Sequence, residues 1–212
     1  MSKSKPIRVG LVGCGGIARG HARALLEQHQ LDVTAICDPV KSHIAAYQRE
    51  IFKPAGRRPK VYSSFARMLT SVKLDAVVLC TPHTLHHEQI MSALDRGLHV
   101  LVEKPMVTDS GHAREVVRKA QSTGLVVAIA FQGSCSPEFA YIHNVVHRGV
   151  LGELQVIDTF VAQNWQRATA GSWRQKPALS GGGQLYDSGA HMLNALLAFA
   201  DAPPAEGFAC ID

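Results

Sequence analysis

Short apolar runs alternate with segments of helical periodicity over the first 131 residues, and this alternation constrains the fold more than any other feature. Ile7–Val12, Leu31–Cys37 and Lys60–Tyr62 read as strands, as do residues 74–81, 99–103 and 125–131. Residues 17–28, 41–51, 64–69, 86–96 and 109–122 read as the intervening helices. Ile17, Ala18, Ala22, Leu25 and Leu26 give the first helix one apolar face, and Gly97 stands where a helix would be capped at its C-terminus. Strands alternating with helices of this length build parallel βαβ units, and the right-handed crossover leaves few topologies. Only 6% of residues are aromatic while 46% are hydrophobic, so the core is aliphatic. A parallel sheet covered on both faces wants that composition.

After residue 131 the rhythm changes. Residues 136–148 read as a helix, 153–163 as one longer strand, 168–183 as a loop and 187–199 as a helix. The tail 206–212 reads as the beginning of another strand. The expected fold is therefore α/β: a Rossmann-type doubly wound parallel sheet over 1–131, followed over 132–212 by an incomplete α+β domain with a mostly antiparallel sheet.

The sharpest local signal is Gly13-Cys14-Gly15-Gly16-Ile17-Ala18, a GxGxxA sequence between the first strand and the first helix. Gly13 permits the tight turn, and Gly15 lets the backbone approach a pyrophosphate. The small Ala18 allows close helix–strand packing, and the helix N-terminus offers free N–H groups to the anion. Asp38 ends the second strand 20 residues beyond Ala18, where a carboxylate receives ribose hydroxyls and repels a 2′-phosphate. NAD is thus the expected cofactor, with NADP second because Lys41 lies nearby.

Composition excludes other classes. The formal charge of +5 is scattered, and its densest cluster, residues 53–60, is broken by prolines and a glycine. No basic stripe with interleaved aromatics marks a nucleic-acid surface. The apolar run at the N-terminus is too short for a signal peptide or a membrane span. Five cysteines lie far apart without a CxxC pair, which suits a reducing, cytoplasmic compartment.

Three further pieces carry chemistry: Thr81-Pro82-His83-Thr84-Leu85-His86-His87, Glu103-Lys104-Pro105, and the glycine-rich stretch from Gly181 through Asp187 to His191. The first two follow strands, so they fall on the rim where open α/β sheets bind ligands. His83, His86 and His87 lack the second ligand cluster that a closed zinc site needs, so no metal is expected. Trp165 and Trp173 read as packing or pocket wall.

With these motifs in this order the sequence resembles the Gfo/Idh/MocA oxidoreductases, the family of glucose–fructose oxidoreductase and inositol dehydrogenase. The resemblance rests on GxGxxA at Gly13, TPxxxH at Thr81 to His86, EKP at Glu103 and DxGxH at Asp187. It implies that Gly13, Gly15, Gly16, Ile17, Ala18, Asp38, Thr81, Pro82, His86, Glu103 and Lys104 bind the cofactor. It also implies that Lys104, Asp187 and His191 form the catalytic set, and that the Lys104–Pro105 bond is cis. The chemistry agrees with those roles. An imidazole with an ordinary pKa of about 6.5 can take the hydroxyl proton as hydride leaves a secondary alcohol, and an ammonium can stabilise the alkoxide.

The resemblance implies a sugar, inositol or related polyol as substrate, with homo-oligomers expected for full-length relatives. Two alternatives of the same architecture remain: a glycosidase that uses NAD transiently, and a non-catalytic sensor or co-regulator. Two positions depart from the family pattern. Asn194 stands where an aspartate is frequent, and Gln132-Gly133-Ser134-Cys135-Ser136 replaces a stretch that often carries arginine. The chain is also expected to stop within an early strand of the second domain, and so to bind NAD while turning over poorly.

Overall fold

The structure, a computed structural model, describes residues 5–200 and 202–210. Six parallel strands form one sheet: β1 (Ile7–Val12), β2 (Leu31–Cys37), β3 (Lys60–Tyr62), β4 (Ala76–Leu79), β5 (His99–Val102) and β6 (Val127–Ile129). Their spatial order is β3-β2-β1-β4-β5-β6, the doubly wound arrangement in which the direction of strand addition reverses between β1 and β4. That reversal opens a crevice at the carboxyl ends of the strands. The segments carrying Gly13, Asp38, Thr81 and Lys104 all emerge there.

Helices α1 (Gly16–Glu27), α2 (Lys41–Tyr47), α3 (Phe65–Ser71), α4 (His86–Leu94) and α5 (Ser110–Thr123) cross between the strands. A π-helical turn, Gln48–Phe52, prolongs α2 to the end of the expected helix. Strand residues alternate between two aliphatic layers. Val9, Leu11, Ile36 and Val78 pack with Ala18, Ala22, Tyr47 and Phe52 on one face. Val12, Val77, Leu79, Val100 and Val102 pack with Met68, Ile90, Leu94 and Val116 on the other. Side-chain caps start two of these five helices: Ser64 accepts from the Arg67 N–H and Asp109 from the His112 N–H. Gly124 closes α5 in the left-handed conformation.

Beyond β6 the chain forms α6 (Pro137–His147), two short helical turns α7 (Trp165–Ala168) and α8 (Pro177–Ser180), and α9 (Ala190–Ala200). Here one expectation is corrected. Residues 153–163 form no strand, and among the described residues no strand follows β6. Their apolar residues read locally as a strand, but a strand also needs a neighbour to take its N–H and C=O groups. Among the described residues none pairs with this segment, and Val156 and Phe160 are exposed. The expected antiparallel sheet is accordingly not formed by these residues. Residues 206–210 have no regular structure, and 211 and 212 lie outside the described residues. No helix among the described residues is long and apolar enough to cross a membrane.

Candidate active site

The glycine loop has the geometry that its sequence demands. Gly13 adopts φ +89°, and a Cβ there would stand 2.5 Å from the carbonyl oxygen of Cys80. Only glycine fits. Gly15 and Gly16 meet nothing within 4 Å on the side where a Cβ would project. Gly15 caps α1 without any side-chain bond to the first-turn N–H groups. An open backbone cradle at a helix N-terminus suits a pyrophosphate, so the residues present fit a dinucleotide. Ala18 is buried beneath the loop, while Ile17 is exposed in the first turn.

Asp38 is buried at the end of β2. One carboxylate oxygen accepts the Cys14 N–H and the other accepts the Val40 N–H, both at 2.8 Å, with His43 Nδ1 at 3.4 Å. It therefore braces the glycine loop, a role that the sequence did not suggest. Thr81 and Pro82 are half-buried on the rim, and the Thr81 hydroxyl donates to Gln89. The thiols of Cys14 and Cys37 beneath the loop are pushed up by burial to about 12 and about 11, so they stay neutral and pack as apolar groups.

Two residues expected to touch the cofactor have their side chains engaged by protein groups. His86 is fully buried, with its ring nitrogens 2.9 Å from the Pro105 carbonyl and 3.0 Å from that of Thr81. It fastens the Thr81 loop to the Lys104–Pro105 turn. Glu103 is also buried, its carboxylate 2.8 Å from His21 Nε2 on α1. Burial raises the Glu103 pKa, but the His21 bond and the nearby Lys104 outweigh it and leave the group lowered. The Lys104–Pro105 peptide is cis, as expected.

Lys104 and Asp187, 83 residues apart, meet. The Lys104 ammonium donates to Asp187 Oδ1 and to the Asp187 carbonyl, each at 2.8 Å. Asp187 lies in a π-helical turn, Leu185–Gly189, that leads into α9. Its second oxygen accepts Trp165 Nε1–H at 2.9 Å and Arg174 Nε–H at 3.0 Å. Burial works against ionisation, but the Lys104 and Trp165 bonds and the charges of Lys104 and Arg174 hold the carboxyl down at about 2. His191 lies in the first turn of α9 and stands edge-on to Phe131, with ring centroids 5.8 Å apart. Burial and the adjacent Lys104 lower its pKa, so it is neutral at pH 7. Lys104, His191, Gln163 and Ser188 share an open cleft of about 590 Å³, walled by Phe160, Val161 and Met192.

The family model described as an oxidoreductase family with an NAD-binding Rossmann fold matches residues 7–131, and the GFO/IDH/MocA C-terminal domain model matches 139–212. The chain belongs to the Gfo/Idh/MocA family. It is 32% identical to D-glucoside 3-dehydrogenase of Escherichia coli K12 over 92% of this chain and 54% of that protein. To the rhizopine catabolism protein MocA of Rhizobium meliloti it is 30% identical, over 87% of this chain and 54% of the relative. The WlbA dehydrogenase of Bordetella pertussis, solved with NADH and UDP-GlcNAcA, superposes with a TM-score of 0.80 at 27% identity. That match covers 94% of this chain and 60% of WlbA. The chain spans about half the length of the curated relatives it matches.

Sequence reasoning missed three features of this Gfo/Idh/MocA site. Trp165 binds Asp187 directly instead of serving only as wall or packing. Arg174 was not singled out, yet it binds the same oxygen. His83 is a buried latch whose Nδ1 lies 3.0 Å from the Ser180 carbonyl. None of these pairs has a short or periodic spacing. The nearest signal is the Trp173-Arg174 pair preceding the glycine-rich stretch.

Proposed function

We propose that this chain carries the nucleotide site and the reacting groups of an NAD-dependent dehydrogenase acting on a secondary hydroxyl of a sugar, inositol or related polyol. The observation that carries the reading is the convergence of Lys104, Asp187 and His191 at the rim where the glycine loop and Asp38 also open. When bound, the dinucleotide supplies the hydride acceptor.

The glycine loop and the α1 N-terminus hold its pyrophosphate, and Asp38 offers its remaining lone pairs to the ribose hydroxyls, favouring NAD over NADP. Neutral His191 accepts the substrate hydroxyl proton. The Lys104 ammonium donates to the same oxygen as negative charge develops, and Asp187 keeps that ammonium oriented. Two cations, Lys104 and Arg174, surround one carboxylate, so the cluster retains a positive charge suited to an alkoxide. Residues 1–131 form the nucleotide-binding part and 132–212 belong to the substrate part.

Glucosides are substrates to try first, because D-glucoside 3-dehydrogenase is among the relatives. The test is calorimetric titration with NAD+ and NADP+, followed by a screen of glucosides, sugars and inositols for NADH formation. NAD+ binding that Asp38→Ala weakens, with net NADH from at least one polyol, is the expected result. Binding of neither dinucleotide overturns the reading. Binding with no net NADH, but cleavage of a glycoside, assigns the glycosidase chemistry instead.

A further inference from the structure

Asp187 sits outside the sheet, in a π-helical turn that runs into α9 and is preceded by irregular segments and short turns. Its χ2 torsion joins an sp³ to an sp² carbon and has a broad, nearly two-fold profile. A single bond from Lys104 to Oδ1 therefore does not fix the carboxylate plane. The two donors on Oδ2 do, and one of them belongs to a series of side chains in ring contact.

The Arg174 guanidinium carbon lies 4.6 Å from the Trp173 ring centroid, so a side chain with large rotamer entropy is held against that ring. Trp173 stands edge-on to His83, with centroids 4.8 Å apart and planes at 82°. His83 is buried in the turn that follows β4, one residue beyond Pro82 on the nucleotide rim. Its Nδ1 faces the Ser180 carbonyl at 3.0 Å. The neighbouring Thr84 hydroxyl donates to the Ala178 carbonyl at 2.9 Å, so the turn after β4 grips α8 twice. Burial lowers the His83 pKa to about 4, which keeps the ring neutral and lets it donate from Nδ1. The ionisable groups facing Asp187 are Lys104 from the turn after β5, Arg174, His191 from α9 and His83, with Glu103 behind Lys104.

Resting on the dehydrogenase reading for the importance of Asp187, we propose that Arg174, seated on Trp173 and through it on His83, is a positioning residue that fixes the Asp187 carboxylate against Lys104. The same contacts tie the carboxylate to the nucleotide-rim loop after β4. Arg174 acts through Asp187 and touches no reacting atom. An ordinary surface ion pair would place Arg174 near Asp187 but would leave the rest of the cluster indifferent to it.

The chain has two tryptophans, Trp165 and Trp173, and both belong to this cluster. Their indole N–H signals in ¹⁵N-labelled full chain thus report the two ends of the series separately. In Arg174→Gln both signals are expected to move, and the Trp165 indole proton is expected to exchange with solvent about tenfold faster or more, as its carboxylate acceptor loosens. Arg174→Lys keeps the charge and is expected to return Trp165 toward its wild-type position while Trp173 stays displaced. A Trp165 signal unchanged in Arg174→Gln overturns the proposal.

Should that variant fail to fold, Trp173→Leu removes the platform while keeping Arg174, and an unmoved Trp165 signal there overturns it equally. The wild-type spectrum needs no variant: a Trp165 indole proton without exchange protection refutes the arrangement outright. None of these signals depends on turnover. The expected indole pattern without NADH formation would overturn the dehydrogenase reading and leave the positioning role of Arg174 standing.

Discussion

Replacing Asp187 by asparagine removes one charge and reverses one hydrogen-bonding edge, and both effects can be given a size. The carboxyl is held at about 2, against an ordinary 3.8. That displacement of nearly two units corresponds to roughly 2–3 kcal/mol of native-state stabilisation at neutral pH. The amide that replaces the carboxylate has one acceptor edge and one donor edge. With its oxygen toward Lys104, its NH2 faces the Trp165 and Arg174 donors; flipped, it faces the ammonium. Either orientation leaves a buried donor without an acceptor, at about 1–3 kcal/mol.

The Lys104 and Asp187 side chains are 11% and 12% exposed, and breaking a buried pair costs about 3–5 kcal/mol, so the lower end applies here. About 3 kcal/mol lowers the melting temperature of a chain this size by roughly 6–12 °C. The carboxylate's share is present in full above pH 3.8 and is lost as pH falls through about 2, because the folded pKa is the depressed one. Thermal melts of wild type and Asp187→Asn, followed by circular dichroism from pH 7 down to pH 2, are expected to show a constant gap at neutral and mildly acidic pH. The gap should narrow only as pH falls from about 4 towards 2. Equal melting temperatures at pH 7, or a gap that ignores pH, would refute the reasoning.

Gly13→Ala places a Cβ at φ +89° and 2.5 Å from the Cys80 carbonyl oxygen. A loss of about 1–2 kcal/mol from backbone strain is expected, with NAD+ affinity reduced about tenfold or more, checked by melts and calorimetry. Asp38→Ala frees the Cys14 and Val40 N–H groups and is expected to weaken NAD+ binding more than NADP+ binding in paired titrations. Because the His191 pKa is lowered, the acid limb of the kcat/KM profile for polyol oxidation should lie below pH 6.5, and His191→Gln should remove that limb.

The nucleotide half was legible because each of its elements is specified by residues close in sequence. β1, β2 and β3 fall on the expected runs, since a parallel strand buried on both faces needs a continuous aliphatic stretch and turn residues at its ends. Lys104 and Asp187 could be named, but the partners of Asp187 could not. Trp165 and Arg174 reach it from 22 and 13 residues away through irregular backbone, where no periodicity predicts a neighbour.

His86 and Glu103 were placed on the correct loops, but the protein groups that hold their side chains could not be read. Position at a strand end says nothing about whether a side chain turns toward the crevice or toward α1 and the Pro105 turn. Residues 153–163 failed as a strand for a different reason. Their apolar pattern is a local property, whereas strand formation depends on a neighbour that the pattern cannot supply.

Transfer of deuterium tests the central claim most directly. The chain would be incubated with NAD+ and a glucoside or inositol that yields NADH, deuterated at the carbinol carbons, and the nicotinamide C4 position read by NMR. Deuterium at C4 with wild type, and none with Lys104→Met that still binds NAD+ in calorimetry, is the predicted result. Deuterium transfer undiminished in Lys104→Met would contradict the role given to the Lys104–Asp187–His191 cluster.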